Sequence, residues 1–149
     1  MAAEQKTAAV GYLRVASGSQ RKREESLRIQ RQAIRRYATI HNAQIMRIFF
    51  DQDAAQDITM QHGLRDALQS LHSGRASLLI VESLNRLTGA SSERLRFVAQ
   101  HFGATDGPAL ISIKERIDSR TSEGRLMLGI ADVLVRWELD TKESGAGHV

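Results

Sequence analysis

At 149 residues, with 42% hydrophobic residues and a net charge of +4, the chain can bury one hydrophobic core as a single domain. It has no cysteine, which excludes a disulfide scaffold and thiolate metal sites and suits a reducing cytosol. Aromatics, at 5%, are too scarce for base stacking to dominate nucleic-acid binding, and no apolar run nears the roughly 18 residues of a membrane span.

The opening segment, Met1 to Thr7, lacks the apolar core of a signal peptide, so a cytoplasmic protein is expected, associated with the nucleoid if DNA is a partner. Ala8 to Val15 reads as a short buried strand, bounded by the Ser17-Gly18-Ser19 loop. The polar run Arg21-Lys22-Arg23-Glu24-Glu25 precedes a helix expected from about Ser26 to His41. Leu27, Ile34, Tyr37 and Ala38 form its apolar side, and Arg28, Arg31 and Arg35 its basic side, with Arg36 adjacent. Asn42 can close it, because asparagine tolerates the left-handed conformation.

Ile45 to Asp51 reads as a second strand, and Asp53 to Gln61 as a loop without clear period. Gly63 to His72 is expected as a second helix, ended by Ser73-Gly74. Ser77 to Glu82 is apolar at consecutive positions, as a strand covered on both faces should be. A third helix is expected from Ser92 to Phe102, capped by Ser91 or Ser92 with Glu93 in its first turn. Pro108, the only proline, introduces a fourth strand, Ala109 to Lys114.

A long helix is expected over about 121–143, with an apolar stripe of Leu126, Met127, Ile130, Val133, Leu134 and Trp137. Residues 144–149 read as a disordered tail, leaving one domain over 1–143. Alternating strands and helices predict an α/β fold of three layers, with a mainly parallel central sheet of about four strands.

Five short segments, in order over roughly residues 9 to 140, carry a family likeness. Tyr12-Leu13-Arg14-Val15-Ala16 resembles the Tyr-x-Arg-Val-Ser that opens the catalytic domain of the serine recombinases, the resolvase and invertase family. Ser26-Leu27-Arg28-Ile29-Gln30 resembles that family's Ser-Leu-x-x-Gln, and Gly63-Leu64 its Arg-x-Gly-Leu segment. Ser83-Leu84-Asn85-Arg86-Leu87 is similar to its Lys-Leu-Asp-Arg-Leu motif. Thr121-Ser122-Glu123-Gly124-Arg125-Leu126-Met127-Leu128 is similar to the entry into its long dimerisation helix.

The resemblance implies a resolvase-like fold and a chemistry in which a serine oxygen attacks a DNA phosphodiester while arginines neutralise the phosphate, with no metal or other cofactor. It also implies phosphate or DNA contacts at Arg14, Gln20, Gln30 and Arg86. The departures fall together. Ala16 stands at the nucleophile's place, Gln61 and Gly89 at two of the arginines, and Asn85 at the acidic residue. A laboratory serine-to-alanine change would explain Ala16 alone, so the set points to a catalytically inactive relative.

Ser17 is the alternative nucleophile, although adjacent strand residues face opposite ways. In that reading the chain is an active recombinase; otherwise Ser17 only helps turn the chain. Arg14, in an apolar strand, needs an anion or a carboxylate such as Asp51 or Glu82. Arg86 poses the same choice. The basic run and helix face could track a DNA backbone, or be a solvated face diluted by Glu24, Glu25 and Asp51 to Asp57. Leu126, Met127, Ile130, Val133, Leu134 and Trp137 are expected at a dimer interface: the stripe is core, this domain's or a partner's, and a helix of about 20 residues, near 30 Å long, needs a partner for part of it.

The histidines at 41, 62, 72, 101 and 148 show no metal spacing, and no phosphate loop marks a nucleotide cofactor. Family members usually carry a DNA-binding domain after the long helix. Here the sequence stops within about ten residues of that helix's expected end, so DNA binding by the chain alone should be weak. The expected function is a DNA-recombination-associated regulatory module, a homodimer or a heteromer with a related recombinase. A dimerisation scaffold unrelated to DNA is the other reading.

Overall fold

A computed structural model describes residues 5–16, 18–53, 62–88, 100–104, 106–130 and 133. In chain order the elements are β1 (Thr7–Ala16), α1 (Gln20–Ile40), β2 (Ala43–Asp53), α2 (His62–His72), β3 (Leu78–Val81), α3 (Asn85–Thr88), β4 (Ala109–Ser112) and β5 (Ile117–Asp118). Residues 122–130 are also helical. The sheet runs β2-β1-β3-β4-β5, parallel except where β5 returns antiparallel to β4.

Alternation along the strands divides the core between the two sheet faces. Ala9, Leu13, Leu78, Ile80 and Ile111 meet Ile34 and Ala38 of α1. Val10, Tyr12, Leu79, Val81 and Leu110 meet Leu64, Ala67, Leu68 and Leu71 of α2. All four β3 residues are buried, which explains their consecutive apolar character.

Five strands replace the expected four. The additional strand is only two residues long, reached through Arg116 at φ 58, and too short to leave a periodic signal. Helix α1 begins at Gln20 rather than Ser26, because Ser19 caps it: the Ser19 hydroxyl accepts from the Lys22 N–H at 3.2 Å. Its polar first turns face solvent and so lack the apolar spacing that marks a helix. Asn42 has the expected left-handed conformation, at φ 55. Asp53, expected to open a loop, instead ends β2, paired with Ala16; the rest of that loop, 54–61, most of the helix over 92–102 and the tail at 144–149 lie outside the described residues.

The helix at 122–130 turns the described part of its apolar stripe away from this domain. Leu126, Met127, Ile130 and Val133 are 42–63% exposed, so they are not this domain's core. Leu128, outside the expected stripe, is instead the buried anchor at 2% exposure. Leu134 and Trp137 lie outside the described residues.

Entry to this helix is tightly built. Thr121 Oγ1 accepts from the Gly124 N–H at 2.9 Å, and the Arg120 guanidinium donates to both Asp118 oxygens. Burial works to raise the Asp118 pKa, but the Arg120 hydrogen bonds and charge prevail and hold it below the ordinary carboxylate value. Arg125 Nη1 donates to the carbonyls of Ser119 and Arg120.

A Cβ on Gly124 would lie 1.8 Å from the Asp118 carbonyl oxygen, whereas one on Gly129 would meet nothing within 4 Å. Gly124→Ala should therefore lower stability by about 3 kcal/mol through overpacking, while Gly129→Ala should raise it by up to about 1 kcal/mol through helix propensity. Urea unfolding of the two variants checks the opposite signs.

Candidate functional site

The site begins where β1 outlasts one of its neighbours. Against β2 its pairing continues to Ala16, opposite Asp53, but against β3 it stops at Tyr12. Beyond Tyr12 the carboxamide of Gln30 stands in for the absent strand. Its Oε1 accepts from the Arg14 N–H at 3.1 Å, and its Nε2 donates to the Arg14 carbonyl at 3.0 Å. The same Nε2 also donates to Ser26 Oγ at 3.0 Å.

Gln30 is fully buried, with both ends of its amide engaged. It therefore holds the strand end in place, where the sequence reading had expected a phosphate contact. Gln20 is exposed at the start of α1, and its Nε2 donates to Glu24 Oε1 at 3.1 Å.

Arg14 is half-buried and Ala16 exposed, and strand alternation places both on the face of Tyr12. Arg86, on α3, reaches the same strand end. Its Nη1 donates to the Arg14 carbonyl at 3.3 Å, and its Nη2 pairs with Glu82 at 3.4 Å. The buried Nε of Arg86 has no hydrogen-bond partner among the described residues. A buried cationic donor left unused is costly unless an anion meets it.

Glu82 carries Arg86. Asp51 accepts the Tyr12 hydroxyl at 2.8 Å and the N–H groups of Gly63 and Leu64 at 2.8 and 2.9 Å. It thus locks the start of α2 to the sheet. A Cβ on Gly63 would lie 2.4 Å from the Phe50 carbonyl oxygen, so this close approach requires glycine.

Asn85 opens α3 and accepts a hydrogen bond from the buried Ser83 hydroxyl. Glu115 has no local signal in the sequence, yet its Oε1 accepts from the Leu84 N–H at 2.8 Å and from the Ser112 hydroxyl. It ties the loop that leads into α3 and Arg86 to the end of β4 across 31 residues. Ser17, Gln61 and Gly89 lie outside the described residues.

Two of the scattered histidines do meet: His72 Nε2 and His101 Nδ1 are 3.2 Å apart. Burial, then the neighbouring His72, lowers the His101 pKa. No group of three or more metal-ligating side chains occurs among the described residues. No helix among them is long and apolar enough to cross a membrane. The strand end thus combines a small side chain at position 16 with two arginines, an arrangement able to receive an anion.

The family model described as Resolvase, N terminal domain, matches residues 9–144. The fold is similar to the N-terminal catalytic domain of TP901-1 integrase, with a TM-score of 0.75 and 20% identity over 91% of this chain and 99% of that one. It is also similar to a resolvase family site-specific recombinase from Streptococcus pneumoniae, with a TM-score of 0.64 and 18% identity over 95% of each chain. Comparison with the curated proteins gives no match. The match over residues 9–144 takes in β1 from Ala9 onward, its arginine and the helices that hold the strand end, and on it the chain belongs to the resolvase N-terminal catalytic domain family of serine recombinases.

Proposed function

We propose that this chain is a catalytically silent serine-recombinase domain that acts by pairing, with a second copy or with an active recombinase whose assembly it restrains or directs. Ala16 carries the reading. It stands at the exposed end of β1, beside Arg14, and an alanine methyl cannot attack phosphorus or hold a phosphoester. In the sequence register, Gln61 and Gly89 remove two further cationic groups, and Asn85 replaces an acid. Arg14 and Arg86 keep affinity for an anion without the means to cleave it. The reading calls for no metal and no nucleotide.

The exposed apolar residues of the C-terminal helix support the pairing role. Leu126, Met127, Ile130 and Val133 are spaced along a helix whose other side is anchored by Leu128. Such a set exposed to water favours burial against a partner. In this proposal the pairing helix continues to about residue 143, adding Leu134 and Trp137, with 144–149 as a tail.

The test is incubation of the purified chain and its Ala16→Ser variant with supercoiled DNA carrying a recombinase crossover site. Neither should form a covalent protein–DNA adduct on a denaturing gel. Restoring one hydroxyl leaves two cationic groups missing, each worth about 10²–10³ in rate, for a shortfall of about 10⁴-fold or more. An adduct at Ser17 or Ser19 in the unaltered chain would overturn the proposal.

Leu126→Glu with Ile130→Glu should weaken pairing by about 100-fold, close to 3 kcal/mol, while leaving the circular dichroism spectrum unchanged. Sedimentation of the chain alone and with an active recombinase from the same host checks this. Pairing unaffected by both changes would place the interface elsewhere.

A further inference from the structure

We propose that the outward face of α1 is a contact surface for the phosphate backbone of duplex DNA, distinct from the strand-end site. The charge of the molecule is concentrated there. Seven cationic side chains against two acidic ones give α1 a net charge of +5, while the whole chain has +4, so everything else together carries −1. After Glu25 the helix contains four arginines and no acid.

These arginines are neither buried nor neutralised. Arg21, Arg28, Arg31, Arg35 and Arg36 are all exposed. The ion pairs found among the described residues, Arg86 with Glu82 and Arg120 with Asp118, lie elsewhere. Arg28, Arg31 and Arg35 are successive neighbours at three- and four-residue steps, where like charges work against a helix. A fold that leaves this repulsion unrelieved has an uncompensated site for an anion.

The geometry suits an extended anion rather than a small one. Arg21, Arg28 and Arg35 repeat every seven residues, two turns or about 10.5 Å, and together span about 21 Å along the helix. A duplex offers one phosphate charge per about 1.7 Å of axis, roughly a dozen over that length. Arginine's planar fork matches phosphate oxygens better than lysine does. Gln30, Ile34 and Ala38 are buried against the sheet, which leaves Arg21, Arg28 and Arg35 along an exposed flank of α1, with Arg31 at its edge. The helix cap, Ser19, is three residues beyond Ala16, so the basic track starts beside the strand-end site.

The same anchoring argues against an anionic lipid surface. An interfacial helix sinks its apolar face into lipid, and the apolar face of α1 is already covered. With no aromatic on the basic face, contact should follow the backbone and ignore base sequence.

The test is fluorescence anisotropy of a labelled random-sequence 30-base-pair duplex, titrated between 50 and 200 mM salt. The unaltered chain should bind with a log–log salt slope of about −3 to −4, each neutralised phosphate contributing about 0.9. Arg28→Gln with Arg31→Gln and Arg35→Gln should weaken binding at least about tenfold at 50 mM salt and remove nearly 3 from the slope. Arg31→Gln alone should remove about 0.9. The melting temperature of these variants should hold or rise, because like-charge repulsion is relieved.

A control removes the same charge from elsewhere: Arg47→Gln, Arg65→Gln and Arg75→Gln, on β2, on α2 and just after α2. It should bind within about threefold of the unaltered chain, since these exposed residues lie off the track. Equal loss in the control would overturn the proposal, because net charge alone would then explain binding. So would unchanged binding by the α1 variants, absence of duplex binding at 50 mM salt, or preference for phosphatidylglycerol vesicles over the duplex.

Discussion

The carboxamide of Gln30 is the constraint on which the candidate site depends. A central strand that outruns one neighbour leaves its backbone N–H and carbonyl groups exposed to desolvation without partners. Gln30 supplies both partners at Arg14 from the interior of α1, so a side chain does the work of a strand. Arg86 adds a second donor to the same carbonyl. The position of Ala16, two residues along, follows from that clamp.

Around the clamp, single side chains bind elements that are distant in sequence. Asp51 joins β1, β2 and the start of α2 through three hydrogen bonds. Glu115 joins the β3–α3 loop to the turn after β4. Asp118, with Arg120, fixes the entry to the helix at 122–130. Each carboxylate satisfies donors at the end of an element, where the backbone ladder runs out. These ties hold the strand end whether or not position 16 bears a nucleophile. A scaffold of this kind can lose its chemistry without losing its shape, which is why fold and activity have to be argued separately.

The surface divides in the same way. One exposed region is apolar, on the outer side of the C-terminal helix, and another is basic, along α1. Apolar area removed from water stabilises association without much directional preference, whereas fixed positive charge acts over about 10 Å and weakens with salt. The two faces therefore suit different kinds of partner, and neither depends on the residue at position 16.

Local pattern made much of this legible in the sequence. Consecutive apolar residues in β3, helical spacing in α1 and α2, and the asparagine after α1 require only near neighbours, so element order and the α/β class could be read directly. The residue at position 16 is likewise a fact of sequence, and an alanine excludes nucleophilic attack in any fold. Tertiary structure decided what long-range contacts decide. Gln30 acts on a strand 16 residues away, Tyr12 and Asp51 meet across 39, and Glu115 reaches back 31 to Leu84. A two-residue strand leaves no period to detect. Helical spacing also marks which residues of the C-terminal helix are apolar without saying which way they face; burial of Leu128 turned the expected stripe outward, because only packing against the sheet sets a helix's rotation.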